Sequence, residues 1–312
     1  MKYLVTGASG FVGGHLVAGL LAHDHTVAAL VRREGSAPEG ATEHLANLTD
    51  HTAVQAAVTE IAPDGIFHLG APVTSVRLSW DDPAKTLKAN TTTAINVLEA
   101  ARRHTNSPKV VFISSSEVLS GRVSAEPLDE SALVVPDSPY ATSKAMGEEA
   151  ARMYADSFHL PVVIARPFNH IGPGQSPDFA LPNFAEQIAT IENGDGTGEL
   201  KVGNLEAKRD FTDVRDVVAA YQLLMEQGET GEIYHIGAGQ ARSVRELLDL
   251  LLAASAATID IVVDDSRFRP NENPSQTSDA GKLRKLGWKP RVPIDQTVAD
   301  ILADARERIT KE

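Results

Sequence analysis

Tyr140 and Lys144 stand four residues apart in a segment that begins just after Pro139. Proline is favoured at the first position of a helix, and residues four apart share one helix face, so we predict a helix that brings the two side chains together. A free tyrosine has a pKa of about 10, and a neighbouring ammonium lowers that pKa by favouring the phenolate. The pair therefore predicts an acid–base group for a carbonyl or hydroxyl, although the same spacing also occurs on ordinary solvated helices.

Hydroxyl side chains and one carboxylate, from Ser114 to Glu117, come at the end of a predicted strand, Lys109–Ser114. Active sites of parallel α/β sheets form at the C-terminal ends of the strands. A hydroxyl placed there can hydrogen-bond the same substrate oxygen as Tyr140. This second feature favours a catalytic role for Tyr140 and Lys144 over a solvated helix face.

Three glycines, Gly7, Gly10 and Gly13, join the first predicted strand to a predicted helix at Phe11–Ala22. Gly7 suits a tight turn, Gly10 lets the backbone approach a pyrophosphate, and Gly13 lets the helix pack close to the sheet. The helix N-terminus then offers free N–H groups and a positive dipole end to phosphates. Because the glycines follow a strand and precede a helix, they predict a dinucleotide site rather than a purely structural turn.

Two arginines, Arg32 and Arg33, follow the second predicted strand, Thr26–Val31. An enzyme that selects NAD usually has an acidic residue here, which binds the ribose 2′-hydroxyl. Guanidinium groups suit the 2′-phosphate of NADP instead. We therefore expect NADP, with NAD as the alternative if both arginines are ordinary surface residues.

Strands and helices alternate along much of the sequence, which is typical of parallel βαβ units, and the strands are apolar runs, as expected when both sheet faces are covered. We predict an α/β fold, a Rossmann-type doubly wound parallel sheet with a smaller C-terminal substrate-binding lobe. The sheet domain is expected over residues 1–166 and 211–238, and the lobe over residues 167–210 and 239–312. Gly194–Gly198 is expected to be an exposed turn. The remaining predicted strands are Ile66–Leu69, Val162–Arg166 and Ile233–Gly237, and the remaining predicted helices are Ala53–Ile61, Asn90–His104 and Ser243–Ala253.

The 312-residue chain is acidic, with a formal net charge of −13, and it contains no cysteine. The charge disfavours binding to nucleic acid, which needs basic surface, and the lack of cysteine excludes disulfides and thiolate chemistry.

Met1 leads directly into an apolar strand and no apolar run approaches the roughly 18 residues of a membrane helix, so we expect neither a signal peptide nor a membrane span. A cytoplasmic protein is expected. No metal site is expected either, because the pair His23 and His25 suits a surface turn.

The glycine turn, the serine at a strand end and the tyrosine–lysine pair together resemble the extended short-chain dehydrogenase/reductase family, and the resemblance runs along almost the whole chain. It implies that Ser115 aligns with the catalytic serine or threonine, Tyr140 with the acid–base residue and Lys144 with its partner. Ser116 and Glu117 align with two positions that carry acid and base roles in dehydratases. Glu117 is therefore a fourth candidate catalytic residue.

The same resemblance implies a set of contacts with the dinucleotide. The segment His68–Ala71 is similar to the strand end that packs against the cofactor, and Asn90 is similar to an asparagine that supports the active site. The chain departs from the family at Asn47, where an adenine-contacting aspartate is common, and at Leu119 and Ser120, where tyrosine and glycine are frequent. The implied cofactor-binding residues are Gly7, Gly10, Phe11, Val12, Gly13, Arg32, Arg33, Asn47, Leu48, Leu69, Gly70, Ala71, Asn90, Tyr140, Lys144 and Pro167.

Later segments offer groups for an anionic sugar nucleotide. In the run Arg166–Gln175, prolines and glycines hold a loop whose polar side chains can hydrogen-bond a sugar. Arg209 and the segment Arg267–Pro270 suit a diphosphate, because a planar guanidinium binds two oxygens at once, but each arginine could equally form a surface salt bridge.

These segments are most similar to those of the GDP-4-keto-6-deoxy-D-mannose reductases. The resemblance implies that NADPH reduces the 4-keto group of GDP-4-keto-6-deoxy-D-mannose to give GDP-D-rhamnose, with a GDP-sugar as the substrate partner. The implied substrate-binding residues are Ser115, Ser116, Glu117, Asn169, Asn183, Arg209 and Arg269.

Other functions stay open. An NDP-sugar 4-epimerase or a GDP-mannose 4,6-dehydratase would use the same Ser115, Tyr140 and Lys144 but would retain and recycle its cofactor, and Glu117 suits the base that a dehydratase needs. A non-catalytic scaffold that binds NADP is less favoured, because all three residues are present. By analogy with the family we also expect a homodimer, paired through the predicted helices Asn90–His104 and Tyr140–Phe158.

Overall fold

The computed structural model describes residues 1–121, 126–267 and 275–311. Its centre is a seven-stranded sheet in the order β11-β6-β5-β4-β1-β2-β3, and all neighbouring strands are parallel. The order reverses direction between β1 and β4, which is the switch point of a doubly wound sheet. The predicted fold class is confirmed. The strands are β1 (Lys2–Thr6), β2 (Thr26–Val31), β3 (Thr42–Leu45), β4 (Gly65–His68), β5 (Lys109–Ile113), β6 (Val162–Pro167) and β11 (Ile233–Ile236).

Helices cover both faces of this sheet. Alternate residues of β5 point to opposite sides, so that Val111 and Ile113 enter one core with α1 and α7, while Val110 and Phe112 enter a second core with α2, α4 and α5. Burial on both faces explains why the strands are continuous apolar runs. The helices are α1 (Phe11–Ala22), α2 (His51–Ile61), α3 (Val76–Ser79), α4 (Pro83–Arg103), α5 (Pro139–Phe158) and α7 (Val214–Gln227).

The C-terminal part has a third apolar core, built mainly from three amphipathic helices and a two-stranded parallel sheet. Two smaller sheets are formed by segments that connect the large sheet to this core along the chain. They are the three-stranded sheet β12-β9-β14 and the pair β10-β7. The division into two domains at the expected boundaries stays a prediction. The elements are α6 (Ala180–Asn193), α8 (Val244–Ala253), α9 (Gly281–Lys285), α10 (Ile294–Lys311), β7 (His170–Ile171), β8 (Thr197–Val202), β9 (Lys208–Asp210), β10 (Thr212–Asp213), β12 (Ala241–Ser243), β13 (Thr258–Val263) and β14 (Ser275–Gln276).

Helix starts follow local signals where those signals are strong. Pro139 occupies the first turn of α5, as predicted, and Ser138 caps the helix. Ser243 and Glu246 form a capping box at the start of α8. The helix α4 begins at Pro83, earlier than the predicted start at Asn90, because Asp82 caps it and the added turns are too polar to show a clear apolar period.

Eight of the described strands were not predicted: β3, β7, β8, β9, β10, β12, β13 and β14. The edge strand β3 is only partly buried, so its sequence lacks an apolar run. The strand β8 begins inside the segment that was expected to be an exposed turn, and its hydrogen bonds come from β13, about sixty residues later. Within the described residues, no helix combines the length and apolar character needed to cross a membrane.

Candidate active site

Tyr140 lies in the first turn of α5, at the C-terminal end of the large sheet. Its phenol is hydrogen-bonded to the Ser115 side chain. Burial, together with the nearby Glu117 carboxylate, raises the pKa of Tyr140 to about 12. The expected lowering of this pKa is therefore wrong: burial is the largest cause of the rise, and the hydrogen bond with Ser115, which lowers the pKa, does not compensate for it.

Lys144 follows one turn later on the same helix and is 8% exposed. Its Nζ lies 5.9 Å from the centre of the Tyr140 ring and donates a hydrogen bond to the Ile113 carbonyl at 2.9 Å. Burial lowers the pKa of Lys144 to about 8. At neutral pH the site therefore holds a protonated phenol beside a charged ammonium.

Ser115 and Glu117 come from the turn that follows β5. Ser115 caps a short 3₁₀ helix, Ser116–Leu119, where its hydroxyl accepts a hydrogen bond from the Glu117 backbone N–H at 3.2 Å. Ser116 is buried, and its carbonyl accepts a hydrogen bond from the Gln276 side chain at 3.3 Å. The structure thus brings Ser115, Glu117, Tyr140 and Lys144 together as the sequence predicted.

Asn90 braces this site from α4. Its side chain exchanges two hydrogen bonds with the backbone of Val73, at 3.1 and 3.0 Å, and donates a third to the Ser143 hydroxyl at 3.0 Å. One amide therefore ties the segment after β4 to the helix that carries Tyr140. The contact supports the predicted bracing role.

The glycine turn can form only with glycines. Gly7 has a φ of +72°, and a Cβ there would lie 2.9 Å from the Gly70 backbone nitrogen. A Cβ on Gly13 would lie 2.1 Å from the Gly7 carbonyl oxygen. Gly10 caps α1 without a side-chain hydrogen bond, so the N–H groups of the first turn, at Phe11 and Val12, are left for a ligand. These features fit the pyrophosphate of a dinucleotide.

The end of β4 lies against this turn. The Thr6 hydroxyl accepts a hydrogen bond from the Gly70 N–H at 3.0 Å and contacts the His68 ring at 2.8 Å. A Cβ on Gly70 would meet the Leu48 side chain at 2.4 Å, so only glycine allows this close approach. Of the predicted cofactor residues, Leu69 and Gly70 thus lie against Gly7, Leu48 lies against Gly70, and Ala71 follows Gly70 in the chain.

The residues predicted to hold the adenosine end lie after β2 and β3. The side chains of Arg32 and Arg33 are exposed, and within the described residues neither guanidinium has a hydrogen-bond or ion-pair partner. The Asn47 side chain closes its own turn by accepting hydrogen bonds from the Thr49 backbone and hydroxyl, at 3.1 and 3.0 Å. At the opposite end of the site, Pro167 is buried in the last position of β6.

The predicted substrate residues come from separate elements. Asn169 is partly buried after β6, and Arg209 lies on β9, where its Nη1 donates to the Lys208 carbonyl at 2.8 Å. The Asn183 side-chain oxygen accepts hydrogen bonds from Gln187 and from Arg267, at 2.8 and 2.9 Å. Arg269 lies outside the described residues.

Gln276 was missed by the sequence reasoning. It is 6% exposed, and it pairs in register with Arg209 across β14 and β9 while its amide reaches the Ser116 carbonyl. It therefore links a predicted substrate residue to the catalytic turn. No local signal marks it, because its contact partner lies 160 residues away in the sequence.

Fold and site together define a short-chain dehydrogenase/reductase of the extended type. The sequence matches the family described as GDP-mannose 4,6 dehydratase over residues 4–301, and the chain belongs to that family. The predicted recognition, as a member of the nucleotide-sugar branch, is confirmed.

Individual relatives agree with this assignment. GDP-6-deoxy-D-mannose reductase from Pseudomonas aeruginosa is 36% identical to the chain, covering 100% of it and 99% of the relative. The structure of RMD from Pseudomonas aeruginosa complexed with NADPH superposes with a TM-score of 0.87 at 35% identity, covering 98% of this chain and 99% of that chain. UDP-glucose 4-epimerase from Thermus thermophilus, in complex with NAD, also has a TM-score of 0.87, at 29% identity, and covers 98% and 99% of the two chains. The predicted class, an NAD(P)-dependent enzyme of the nucleotide-sugar reductase and dehydratase type, is confirmed.

Proposed function

We propose that the protein uses NADPH to reduce the 4-keto group of GDP-4-keto-6-deoxy-D-mannose, which yields GDP-D-rhamnose. The observation that carries the proposal is the protonated Tyr140, hydrogen-bonded to Ser115 and placed one turn from a charged Lys144. Reduction of a ketone needs a proton donor for the carbonyl oxygen, and with a pKa of about 12 this tyrosine carries its proton at neutral pH. The 36% identity to a GDP-6-deoxy-D-mannose reductase along the whole chain supports the choice of substrate.

The catalytic steps of the chain follow from these positions. Ser115 donates a hydrogen bond to the substrate O4, which polarises the carbonyl, and Tyr140 gives its proton to the same oxygen. The Lys144 ammonium stabilises the tyrosinate that remains until solvent returns a proton. When bound, NADPH supplies the hydride that C4 receives.

The cofactor is held by the parts of the site that fit a dinucleotide. The N–H groups at the start of α1 bind the pyrophosphate, and Arg32 and Arg33 bind the 2′-phosphate. Lys144 holds the nicotinamide ribose, and Asn90 keeps the neighbouring backbone in place. The two exposed arginines are the reason for proposing NADPH over NADH.

The nucleotide sugar lies between the end of the large sheet and the C-terminal part. Asn169, Asn183 and Arg209 contact it, together with Arg269 by resemblance. The arginines supply the local positive charge that binding a diphosphate needs in a chain whose net charge is −13.

Incubation with GDP-4-keto-6-deoxymannose and either NADPH or NADH tests the proposal. We expect one NADPH oxidised per sugar converted, with GDP-D-rhamnose identified by NMR, and slower turnover with NADH. Conversion of a nucleotide sugar without net oxidation of added NADPH would show that the protein is not a reductase.

Glu117 favours a second candidate, a dehydratase or epimerase that recycles its cofactor. Its carboxylate lies close enough to Tyr140 to raise the pKa of that phenol, so it also faces the substrate position. A dehydratase would exchange the C5 proton of GDP-mannose with solvent, and Glu117→Gln would abolish the exchange. Incorporation of deuterium at C5 in D₂O, with no NADPH consumed, would establish this candidate. Tight NADP binding with no turnover of any keto-sugar nucleotide would instead point to a non-catalytic scaffold.

A further inference from the structure

Glu148 and Arg166 form an ion pair in the interior, where α5 packs on β6. Arg166 Nε donates to Glu148 Oε1 at 2.8 Å, and Arg166 Nη2 donates to Oε2 at 2.6 Å. The two side chains are 3% and 2% exposed. Two parallel hydrogen bonds fix the plane of the carboxylate. A buried ion pair gains little net stability after desolvation, so its presence suggests a role beyond joining a helix to a strand.

The position of the pair relates it to Lys144. Glu148 lies four residues after Lys144 on the buried side of α5, which places the two residues on one helix face about 6 Å apart along the axis. Lys144 is itself buried, and within the described residues it has no ion-pair partner in direct contact; its Nζ donates a hydrogen bond to the neutral Ile113 carbonyl. A buried ammonium in this situation depends on nearby negative charge to keep its proton.

The other groups around Lys144 do not supply that charge. On α5 and β5, the rings of Tyr140 and Phe112 face it at 5.9 and 6.0 Å. On β4, burial and the charge of Lys144 lower the pKa of His68 to about 3, so this imidazole is neutral. Glu117, in the turn after β5, acts on Tyr140. Glu148 is the carboxylate that opposes the effect of burial on the Lys144 pKa.

Arg166 sets how strongly that carboxylate acts. Its charge partly offsets the field of Glu148, while its two hydrogen bonds hold the carboxylate in one orientation. Arg166 also faces His235, directly opposite on β11, and there its charge joins burial in lowering the histidine pKa to about 4. The neutral His235 therefore adds no second charge to the pair.

We propose that Glu148 and Arg166 are positioning residues for Lys144: the Glu148 carboxylate keeps the buried Lys144 ammonium charged, and Arg166 orients and moderates that carboxylate. The proposal deepens the proposed function, because Lys144 acts in it only as a cation. If the pair only joined α5 to β6, removing the charges of Glu148 and Arg166 would leave the proton affinity of Lys144 unchanged.

Titration of Lys144 by NMR tests this directly in the protein without substrate or cofactor. The chain is labelled with ¹³Cε-lysine, and the Lys144 resonance is identified by its loss in Lys144→Met. We expect a pKa of about 8 in the wild-type protein. Glu148→Gln should lower the pKa of Lys144 by about one unit or more, and Arg166→Gln should raise it, since one removes a favourable charge and the other an opposing one.

Two further variants complete the experiment. Glu148→Gln combined with Arg166→Gln removes both buried charges and leaves neither unpaired, so it should fold even if a single variant does not. Its Lys144 pKa should lie between those of wild type and Glu148→Gln. The matched control is Glu149→Gln, whose carboxylate is 68% exposed on the same helix and should leave Lys144 unchanged.

Two results of the titration would contradict the proposal. A Lys144 pKa in the double variant equal to that of wild type, or single variants that shift it in the same direction, would overturn the proposal. Because neither NADPH nor a keto sugar is present, this result is independent of whether the chain reduces the proposed substrate.

Discussion

Burial moves the pKa values of the two central side chains of the site apart. Burial disfavours the charged form of each group, so it raises the pKa of Tyr140 to about 12 and lowers that of Lys144 to about 8. At neutral pH the tyrosine is still protonated and the lysine still charged. This is the protonation state that a proton donor with a cationic neighbour needs.

Removing the hydroxyl of Tyr140 tests its proposed role as the proton donor. Tyr140→Phe keeps the ring and its packing, so cofactor affinity should change little, whereas kcat should fall by about 10²- to 10⁴-fold because the carbonyl oxygen loses its acid. Stopped-flow turnover and NADPH fluorescence titration measure the two effects. Activity equal to that of wild type would remove Tyr140 from the mechanism.

The pH dependence of the wild-type protein follows from Lys144. Its cationic form is lost as the pH rises through about 8, while Tyr140 keeps its proton well beyond that pH. We therefore expect kcat/KM to fall on the alkaline side with a midpoint near 8. A profile that stays flat up to pH 10 would contradict a role for the charge of Lys144.

In the proposed function, the preference for NADPH over NADH depends on Arg32 and Arg33. Replacing both by alanine removes charge-assisted hydrogen bonds to the 2′-phosphate, which should raise KM for NADPH by about 10- to 100-fold and leave KM for NADH nearly unchanged. Arg152→Ala, an exposed arginine on α5, serves as the control. Equal loss with both cofactors would show that the two arginines do not select NADPH.

At the scale of elements, α4 and α5 form the support of the site, and Glu99 joins them. It accepts hydrogen bonds from Arg102 on its own helix at 2.7 Å and from Tyr154 on α5 at 3.1 Å. The Arg102 hydrogen bond is the main cause that lowers the pKa of Glu99 to about 2. Because the folded pKa lies below the unfolded one, this stabilisation is complete above about pH 4.5 and is lost as the pH falls toward 2.

Glu99→Gln should therefore destabilise the protein by about 1–3 kcal/mol at pH 7, and by progressively less between pH 4.5 and pH 2. Urea unfolding at a series of pH values measures the difference. Glu149→Gln, on an exposed part of α5, should change stability little at any pH. A difference that is independent of pH would mean that Glu99 contributes by packing alone.

At the scale of the whole molecule, the outer surface of α4 and α5 is a candidate interface. Ile95, Met146 and Met153 are 41%, 45% and 45% exposed there, and Met146 contacts Thr91 across the two helices. Exposed apolar side chains on one face are typical of protein interfaces. They support the predicted homodimer, which stays a proposal.

Two lysine substitutions on this surface test the predicted homodimer. Met146→Lys combined with Met153→Lys should convert a dimer into a monomer in light scattering at micromolar concentration, because burying unpaired charges is costly. Leu133→Lys places a charge at a residue that is 66% exposed elsewhere, and it should leave the mass unchanged. A wild-type protein that is monomeric throughout would rule out the dimer.

The sequence by itself determined the features that depend on neighbouring residues. The turn from β1 to α1 needs glycine at Gly7 and Gly13 because the backbone there approaches other backbone too closely for a Cβ, and that requirement is visible in the spacing. Pro139 marks the start of α5, and the four-residue spacing places Tyr140 and Lys144 on one face. The fold class and the tyrosine–lysine pair were predicted from such local signals, whereas the family and the roles of Ser115 and Glu117 were implied by the resemblance.

Only the tertiary structure decided the properties that depend on distant residues. The pKa of Tyr140 moved opposite to the expectation, because burial among elements far apart in sequence outweighs the lysine four residues away. The strand β8, the Gln276 contact with Ser116 and the Glu148–Arg166 pair likewise carry no local pattern. The physical reason is the same in each case: desolvation and long-range hydrogen bonds arise only when packing brings separate segments together. Tyr140 and Lys144 were thus predicted as a candidate acid–base pair from the sequence, whereas their pKa values depend on the fold.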